Sequence, residues 1–215
     1  MELGLAQLIA VYAIPAILAI TLHEAAHALV ASYLGDSTAR SLGRVTANPV
    51  RHVDPIGTLL VPLLILLVSK GGMIFGWAKP VPVIASNLRT PVRDMGLVAA
   101  AGPGANLLMA VAWALLLKLA IASGFGEEFV VRMAYAGIVV NLVLAVLNLM
   151  PVPPLDGGRI LTSLLPERLA APYARLEPYG LFILLALLAT GVLGGIIGPL
   201  VGAGLDGLLT LFVLN

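Results

Sequence analysis

The sequence contains no cysteine. That absence excludes disulfides, thiolate metal ligands and a thiol nucleophile. Charge is also scarce, since 11% of the 215 residues are charged, against about 25% in soluble domains. Twelve basic residues nearly balance eleven acidic ones, for a net charge of +1. Because a nucleic-acid-binding domain normally carries a basic excess, no nucleic-acid partner is predicted.

Apolar residues take the place of the missing charge, and 60% of the chain is hydrophobic. A water-soluble fold of this size could not hide so much apolar surface. A lipid bilayer is therefore the predicted environment, with residues 1–215 forming one membrane-embedded domain. The first apolar run has no Lys or Arg before Arg40 and so lacks the basic start of a signal peptide. We expect this run to be a retained transmembrane helix.

The apolar runs predict an all-α polytopic membrane protein. Five runs are typical of membrane-spanning helices, at 3–34, 95–122, 129–149, 179–193 and 196–213. A sixth, at 56–69, contains Pro62 and is short for a span. The expected fold is a bundle of about five to six transmembrane helices. Short β-like strands are predicted between the first helices, near 44–50 and 76–84, where the latter is too rich in proline for a helix interior.

The main chemical signal is His23-Glu24-Ala25-Ala26-His27 inside the first apolar run. Positions i and i+4 lie on one helix face, so the two histidines can share a metal ion. Glu24 can then act on a metal-bound water as a general base, as in zinc hydrolases. Each charged group at the bilayer centre costs about 2.5–3.5 kcal/mol. That cost favours a metal site over an ordinary polar helix face.

A catalytic zinc site takes three protein ligands, so the motif needs a third. Asp156 has the best context, because it follows a predicted membrane helix within a Pro- and Gly-rich break. It could equally be an ordinary turn residue before Gly157. Spacing alone leaves several candidates open: His52, Asp54, Asp36, Asp94, Asp156 and Asp206. Divalent ions other than zinc also suit such ligands.

Further motifs accompany the HExxH motif over roughly residues 20–160: Asn148-Leu149-Met150-Pro151, Asp156-Gly157, Arg44-Val45-Thr46-Ala47-Asn48-Pro49, His52-Val53-Asp54-Pro55-Ile56-Gly57-Thr58, Gly76-Trp77-Ala78-Lys79-Pro80-Val81-Pro82-Val83 and Gly102-Pro103-Gly104-Ala105-Asn106. Taken together, these motifs resemble those of the site-2 protease family of intramembrane zinc metalloproteases, in its small form without PDZ or CBS domains. The resemblance implies that His23, His27 and Asp156 hold one Zn²⁺ and that Glu24 is the base. It further implies that Asn148 steadies the substrate or its oxyanion.

Several polar residues keep more than one interpretation. Asn148 could instead form a hydrogen bond between helices, a common use of buried asparagine. His52 is a candidate accessory residue, as a gate or an alternative ligand, or simply part of a polar interfacial loop. Asn106 is a second candidate accessory residue. We interpret Asn106 and Asn141 as structural, beside glycines that allow close helix packing.

The function implied by this resemblance is hydrolysis of peptide bonds within or near transmembrane segments of membrane proteins. The expected location is the plasma membrane of a prokaryote, crossed several times. A catalytic core would occupy about 3–165, and a helical hairpin about 172–215. Two other classes remain: a transporter with a proton relay, or an inactive relative that binds membrane partners. Transporters usually contain internal repeats, and none is found here.

Overall fold

The computed structural model describes residues 4–61, 64, 79–124, 127–212 and 214. Within these residues the chain forms helices and turns, with no β-strand. The α-helices there are α1 (Leu5–Tyr33), α2 (Thr38–Ser41), α3 (Pro91–Ala122), α4 (Glu128–Asn148), α5 (Asp156–Leu164), α6 (Glu167–Ala174), α7 (Gly180–Ala189) and α8 (Val192–Leu211). Short 3-10 turns cover Pro49–Arg51, Ala85–Asn87 and Glu177–Tyr179, and a π-helical turn covers Pro55–Leu60.

Four of the described helices, α1, α3, α4 and α8, are long and apolar enough to cross a membrane. The prediction of an all-helical fold with several membrane-length apolar helices is therefore confirmed for the described residues. The predicted count of five to six membrane spans is not confirmed, since four candidate spans are found among the described residues. The run predicted at 179–193 is the ten-residue α7, which at about 15 Å is too short to span. Half of the predicted run 56–69 lies outside the described residues.

The predicted strands are also not confirmed. Residues 44–50 form bends and the start of a 3-10 turn, and residues 79–84 have no regular structure. Residues 76–78 of the second prediction lie outside the described part of the chain. A β-strand needs a neighbouring strand to pair with its backbone N–H and C=O groups. The backbone of 79–84 instead forms hydrogen bonds with the side chains of Arg44 and Glu24 and with the loop carbonyl of His52.

Helices α1, α3 and α4 pack together at the centre of the bundle. Small residues at their contacts let the helix backbones approach one another closely. Ala110 and Ala114 of α3 and Ala134 of α4 are fully buried against one another's helices. Gly137 of α4 lies under the ring of Trp113, where an added Cβ would stand 2.3 Å from the indole. Such close backbones provide the van der Waals contact that holds helices together in lipid. Helix α5 packs against α3, and α8 covers the outer face of α4.

Asp36 connects the end of α1 to the segment that leads into α3. This carboxylate is fully buried and accepts hydrogen bonds from Thr38, from the backbone N–H of Ile84 at 2.6 Å and from the side chain of Asn87 at 3.2 Å. Burial by itself opposes ionisation of Asp36, but the hydrogen bonds from Thr38, Ile84 and Asn87 hold its pKa below the usual range.

We predict that Asp36→Ala lowers the free energy of unfolding by about 1–3 kcal/mol, because it leaves buried donors without an acceptor. Since the folded-state pKa of Asp36 is depressed, its contribution is present above the unfolded pKa of about 3.9 and is lost as pH falls through the folded pKa. Thermal unfolding in detergent at about pH 7 and about pH 3 measures this. Asp206→Ala, at an exposed position of α8, is the control. A variant as stable as wild type near pH 7 would contradict the prediction.

Candidate metal centre

Three potential ligand atoms converge between α1 and the start of α5. His23 Nε2 and His27 Nε2 are 3.0 Å apart. Asp156 Oδ2 lies 3.1 Å from the first and 3.4 Å from the second. All three residues are buried. The helical spacing of the motif thus brings the histidines together, as predicted, and of the six candidates for a third ligand only Asp156 joins them among the described residues.

The loop between α4 and α5 places Asp156 at the cluster. Asp156 is the first residue of α5, and Gly157 follows it against the end of α4. A Cβ on Gly157 would stand 2.3 Å from the carbonyl oxygen of Leu149. A Cβ on Gly158 would stand 2.8 Å from the nitrogen of Pro153. The two glycines therefore let α5 begin directly against the turn, with Asp156 facing α1.

The positions of these three atoms suit the binding of a shared metal ion better than hydrogen bonding among themselves. His27 Nδ1 is 2.7 Å from the carbonyl oxygen of Val98, which can only accept, so Nδ1 carries the proton, and in the neutral imidazole Nε2 carries a lone pair. Asp156 Oδ2 is buried without a hydrogen-bond partner. Tetrahedral zinc with ligands at about 2.0–2.2 Å separates them by about 3.3–3.6 Å, close to the distances here. Two imidazoles and one carboxylate are a usual zinc set.

Gly102 of α3 is the close neighbour of this cluster that sequence analysis assigned only to helix packing. An added Cβ there would lie 2.4 Å from His27 Nε2 and 2.6 Å from His23 Nε2. The helix backbone itself is therefore one wall of the metal centre. The sequence signal was the Gly-Pro-Gly stretch inside an otherwise apolar helix, where glycine is unfavourable without a packing reason.

Glu24 lines a cavity of about 460 Å³ that also contains the three ligand residues. Its carboxylate is half-buried, and Oε2 accepts a hydrogen bond of 2.9 Å from the backbone N–H of Val81. Asn148, at the end of α4, lies on the same wall and donates from Nδ2 to the carbonyl of Leu144 at 3.0 Å. The rest of the lining is mainly apolar, from α1, α3, α4 and α7. A carboxylate here can exchange protons with a molecule bound in the cavity.

The structure does not bring His52 to the metal centre. Its imidazole is buried, with Nε2 3.0 Å from the carbonyl oxygen of Thr46. Its own carbonyl accepts from the N–H of Lys79 at 2.9 Å. His52 therefore joins the loop after α2 to the segment that reaches Glu24.

The four other carboxylates that were candidates for the third ligand lie elsewhere. Asp54 caps the turn at Pro55–Leu60, and Asp94 accepts from the N–H of Thr90 at the start of α3. Asp36 occupies the loop position described above, and Asp206 is exposed on α8.

Asn106 and Asn141 lie behind the metal centre and are fully buried. Asn106 Oδ1 is 2.6 Å from His23 Nδ1, and Asn106 Nδ2 is 3.0 Å from Asn141 Oδ1. Asn106, the second accessory candidate, thus contacts a ligand residue on the side away from the cavity.

Comparison with known proteins gives consistent results. The family model described as Peptidase family M50 matches residues 118–191. "Putative zinc metalloprotease YwhC" of Bacillus subtilis is 38% identical over 206 residues, which is 91% of this chain and 88% of that protein. "Putative zinc metalloprotease Rip2" of Mycolicibacterium smegmatis is 33% identical, over 82% of this chain and 66% of its own length. The protein of that name from Mycobacterium tuberculosis is 29% identical, over 83% and 66%. No solved structure matches.

We predict that Gly102→Ala weakens zinc binding by about 10–100-fold, the range seen when the groups that support metal ligands are disturbed. The added methyl would occupy the space of His23 and His27 and displace their rings. Gly104→Ala is the matched control, two residues along α3 with nothing within 4 Å of the added Cβ. Competition with a chromophoric chelator measures the affinity. Equal zinc affinity for the two variants would contradict the role given to Gly102.

Proposed function

Because this chain belongs to peptidase family M50, the family of the site-2 proteases, and is a zinc metalloprotease, we propose that it hydrolyses peptide bonds within or near transmembrane segments of membrane proteins. One observation carries the proposal. A buried group of His23, His27 and Asp156 shares a cavity with Glu24 inside apolar, membrane-length helices. Hydrolytic chemistry and a bilayer environment thus meet at one place in the fold.

In this proposal, His23, His27 and Asp156 hold one zinc ion. When bound, zinc supplies Lewis acidity, which polarises a carbonyl group and makes a coordinated water acidic. Asp156 Oδ2 is free to bind the ion, and all three proposed ligands are buried. Support comes from the distances of 3.0, 3.1 and 3.4 Å among the three ligand atoms and from the unpartnered Asp156 Oδ2.

Glu24 is the proposed general base. It follows His23 on α1, so its carboxylate reaches the cavity without replacing a ligand. The N–H of Val81 donates to Oε2 and leaves Oε1 to receive a proton from the attacking water. The same carboxyl group can then pass that proton to the amine that leaves the cleaved bond.

Asn148 is the proposed group for steadying the substrate. One hydrogen of its amide is donated to Leu144 within α4, and the second can be donated into the cavity. An amide donor aimed at a developing oxyanion stabilises the transition state. The half-buried position of Asn148 on the cavity wall supports this role.

The proposed substrate is a membrane-spanning helix that unwinds at the cavity, because an intact helix keeps its carbonyls in its own hydrogen bonds. Segment 79–84 is suited to receive it as an extended neighbour. Pro80, Val81 and Val83 line the cavity, and the N–H of Val83 has no partner among the described residues. Pairing with an exposed backbone edge is a general mode of peptide binding.

We further propose the plasma membrane of a bacterial cell as the site of action. The chain would cross it several times, with a catalytic core at about 3–165 and a helical hairpin at about 172–215. The proposed bundle has five to six membrane segments: the four candidate spans and one or both of the short runs near 56–69 and 179–193, the latter entering the bilayer without crossing it.

The proposal is tested by comparing wild type with Glu24→Gln for cleavage of membrane-spanning peptides in liposomes, with bound zinc quantified in both. We expect about one zinc per chain in each, and a turnover of Glu24→Gln lower by about 10²–10⁴-fold, the usual contribution of a general base. Glu167→Gln, an exposed residue of α6, makes the same chemical change away from the cavity and should leave turnover unchanged.

Two results would count against the proposal. If the wild-type protein binds no zinc, the proposed metal site is wrong. Bound zinc without cleavage of any membrane-spanning peptide would instead favour the inactive, partner-binding relative that the sequence left open.

A second prediction tests the role of segment 79–84. Val83→Pro removes the backbone donor of a residue that lines the cavity, so we expect about 5–150-fold slower cleavage, since losing a donor to a buried partner costs about 1–3 kcal/mol. Zinc content should stay at the wild-type level, because Val83 is not one of the three proposed ligands.

Ala85→Pro is the matched control for Val83→Pro. Ala85 is exposed and begins a 3-10 turn after the extended residue Ile84, a position where proline is tolerated. The two prolines lie two residues apart, and only Val83→Pro changes a residue that lines the cavity. Equal cleavage rates for the two variants would show that the N–H of Val83 does not serve the substrate.

A further inference from the structure

A neutral imidazole has one protonated and one unprotonated nitrogen, and only the unprotonated one can bind a metal. For His27 the choice is settled by the carbonyl of Val98, since a carbonyl can only accept. For His23 the partner is the side-chain amide of Asn106, which can accept or donate according to which way it faces. The tautomer of His23 therefore depends on what fixes the amide of Asn106.

A chain of hydrogen bonds fixes that amide. It begins at the carbonyl oxygen of Gly137, which can only accept, so the atom of Asn141 that lies 2.8 Å from it must be Nδ2. Asn141 then presents Oδ1 to Asn106, at 3.0 Å, and must receive a proton from Asn106 Nδ2. The carbonyl of Ala19, 3.3 Å from the same Nδ2, requires a donor as well.

With both hydrogens of Nδ2 used, Asn106 can turn only Oδ1 toward His23. A reversed amide would place this oxygen against the two acceptors of Ala19 and Asn141. Asn106 and Asn141 are both 0% exposed, so no water could relieve that conflict, and unsatisfied buried polar groups are costly. Since Oδ1 accepts at 2.6 Å, Nδ1 of His23 must donate.

We propose that Asn106 and Asn141 are positioning residues that keep the proton of His23 on Nδ1 and so reserve Nε2 for the metal ion. The inference rests on the proposed role of His23 as a ligand, and it replaces our interpretation of both asparagines as merely structural. The hydrogen bonds that fix the tautomer run from Asn141 on α4 through Asn106 on α3 to His23 on α1. Three helices together therefore determine whether Nε2 of His23 is protonated.

Asp156 makes this control necessary. Its Oδ2 lies 3.1 Å from His23 Nε2, an attractive acceptor for a proton on that nitrogen. Without Asn106, the ring would donate from Nε2 to the carboxylate, and the proton would stand where the metal binds. Asn106 offers the competing acceptor on the opposite side of the ring, in a better bond of 2.6 Å.

The test is histidine-specific ¹⁵N NMR of the metal-free protein in detergent at about pH 8, where neutral imidazole predominates. The chain has three histidines, and His23→Ala assigns the signal of interest. In wild type we expect a protonated Nδ1 and an unprotonated Nε2 at His23. In Asn106→Leu we expect the proton on Nε2, and in Asn141→Leu a mixture of the two forms.

Zinc affinity is the second readout, measured by competition with a chelator and without substrate. We expect the dissociation constant to rise by about 10–100-fold in Asn106→Leu, the usual cost of losing a hydrogen-bond partner of a metal-bound histidine, and by a smaller factor in Asn141→Leu. Asn106→Asp keeps an acceptor for Nδ1 and should retain the Nδ1-protonated form, while its second oxygen, placed against the acceptors of Ala19 and Asn141, should lower thermal stability.

Leu142→Ala is the matched control, next to Asn141 on α4 and buried in the α3–α4 core. It should lower thermal stability with no change in the His23 tautomer or in zinc affinity. The proposal is overturned if Asn106→Leu keeps the proton on Nδ1, or if Leu142→Ala weakens zinc binding as much as Asn106→Leu does. Unchanged zinc affinity in His23→Ala would instead reject the ligand role itself, a failure of the proposed function.

Discussion

Three atoms that carry lone pairs approach one another to between 3.0 and 3.4 Å inside an apolar bundle, and the rest of the structure depends on that arrangement. Such atoms repel unless a proton or a cation lies between them. The carbonyl of Val98 removes the proton of His27 from this meeting point, and Asn106 does the same for His23. A divalent cation is then the natural occupant, since buried charge of one sign is tolerated only when paired. In the proposed function, the fold therefore brings the three candidate ligands together and also keeps away the protons that would compete with the metal.

Close approach of helices makes this possible, and glycine and alanine provide it. In lipid, helices gain little from the hydrophobic effect and associate through packing and interhelical hydrogen bonds. Gly102 brings the α3 backbone against the two imidazoles, and Gly137 lets α4 approach α3 beneath Trp113. The same approach that packs the core brings Asn141 within reach of Asn106. The same distances between helices thus allow both the packing of the core and the hydrogen bonds behind His23.

Sequence reasoning predicted those features that depend on local periodicity. The helix expected at 3–34 is Leu5–Tyr33, and the i, i+4 spacing correctly placed His23 and His27 together. The helix expected from residue 95 begins earlier, because Pro91 suits a first helical turn. The run expected at 179–193 ends at Ala189, before Gly191 in a left-handed conformation. Spacing could not choose Asp156, and no local pattern revealed the contact of Val81 with Glu24, 57 positions away. Both depend on how distant segments pack.

The contact between Val81 and Glu24 joins substrate binding to catalysis in the proposed function. Segment 79–84 is held along its length, by Arg44 at the carbonyls of Lys79 and Pro80 and by Asp36 at the N–H of Ile84. Between these anchors, Val81 donates to the carboxylate of the proposed base. A substrate that pairs with this segment must therefore lie beside Glu24, and any shift of the segment also moves the hydrogen bond that orients Glu24. Because one short backbone stretch serves both purposes, the register of the bound peptide determines which of its carbonyls faces the metal centre.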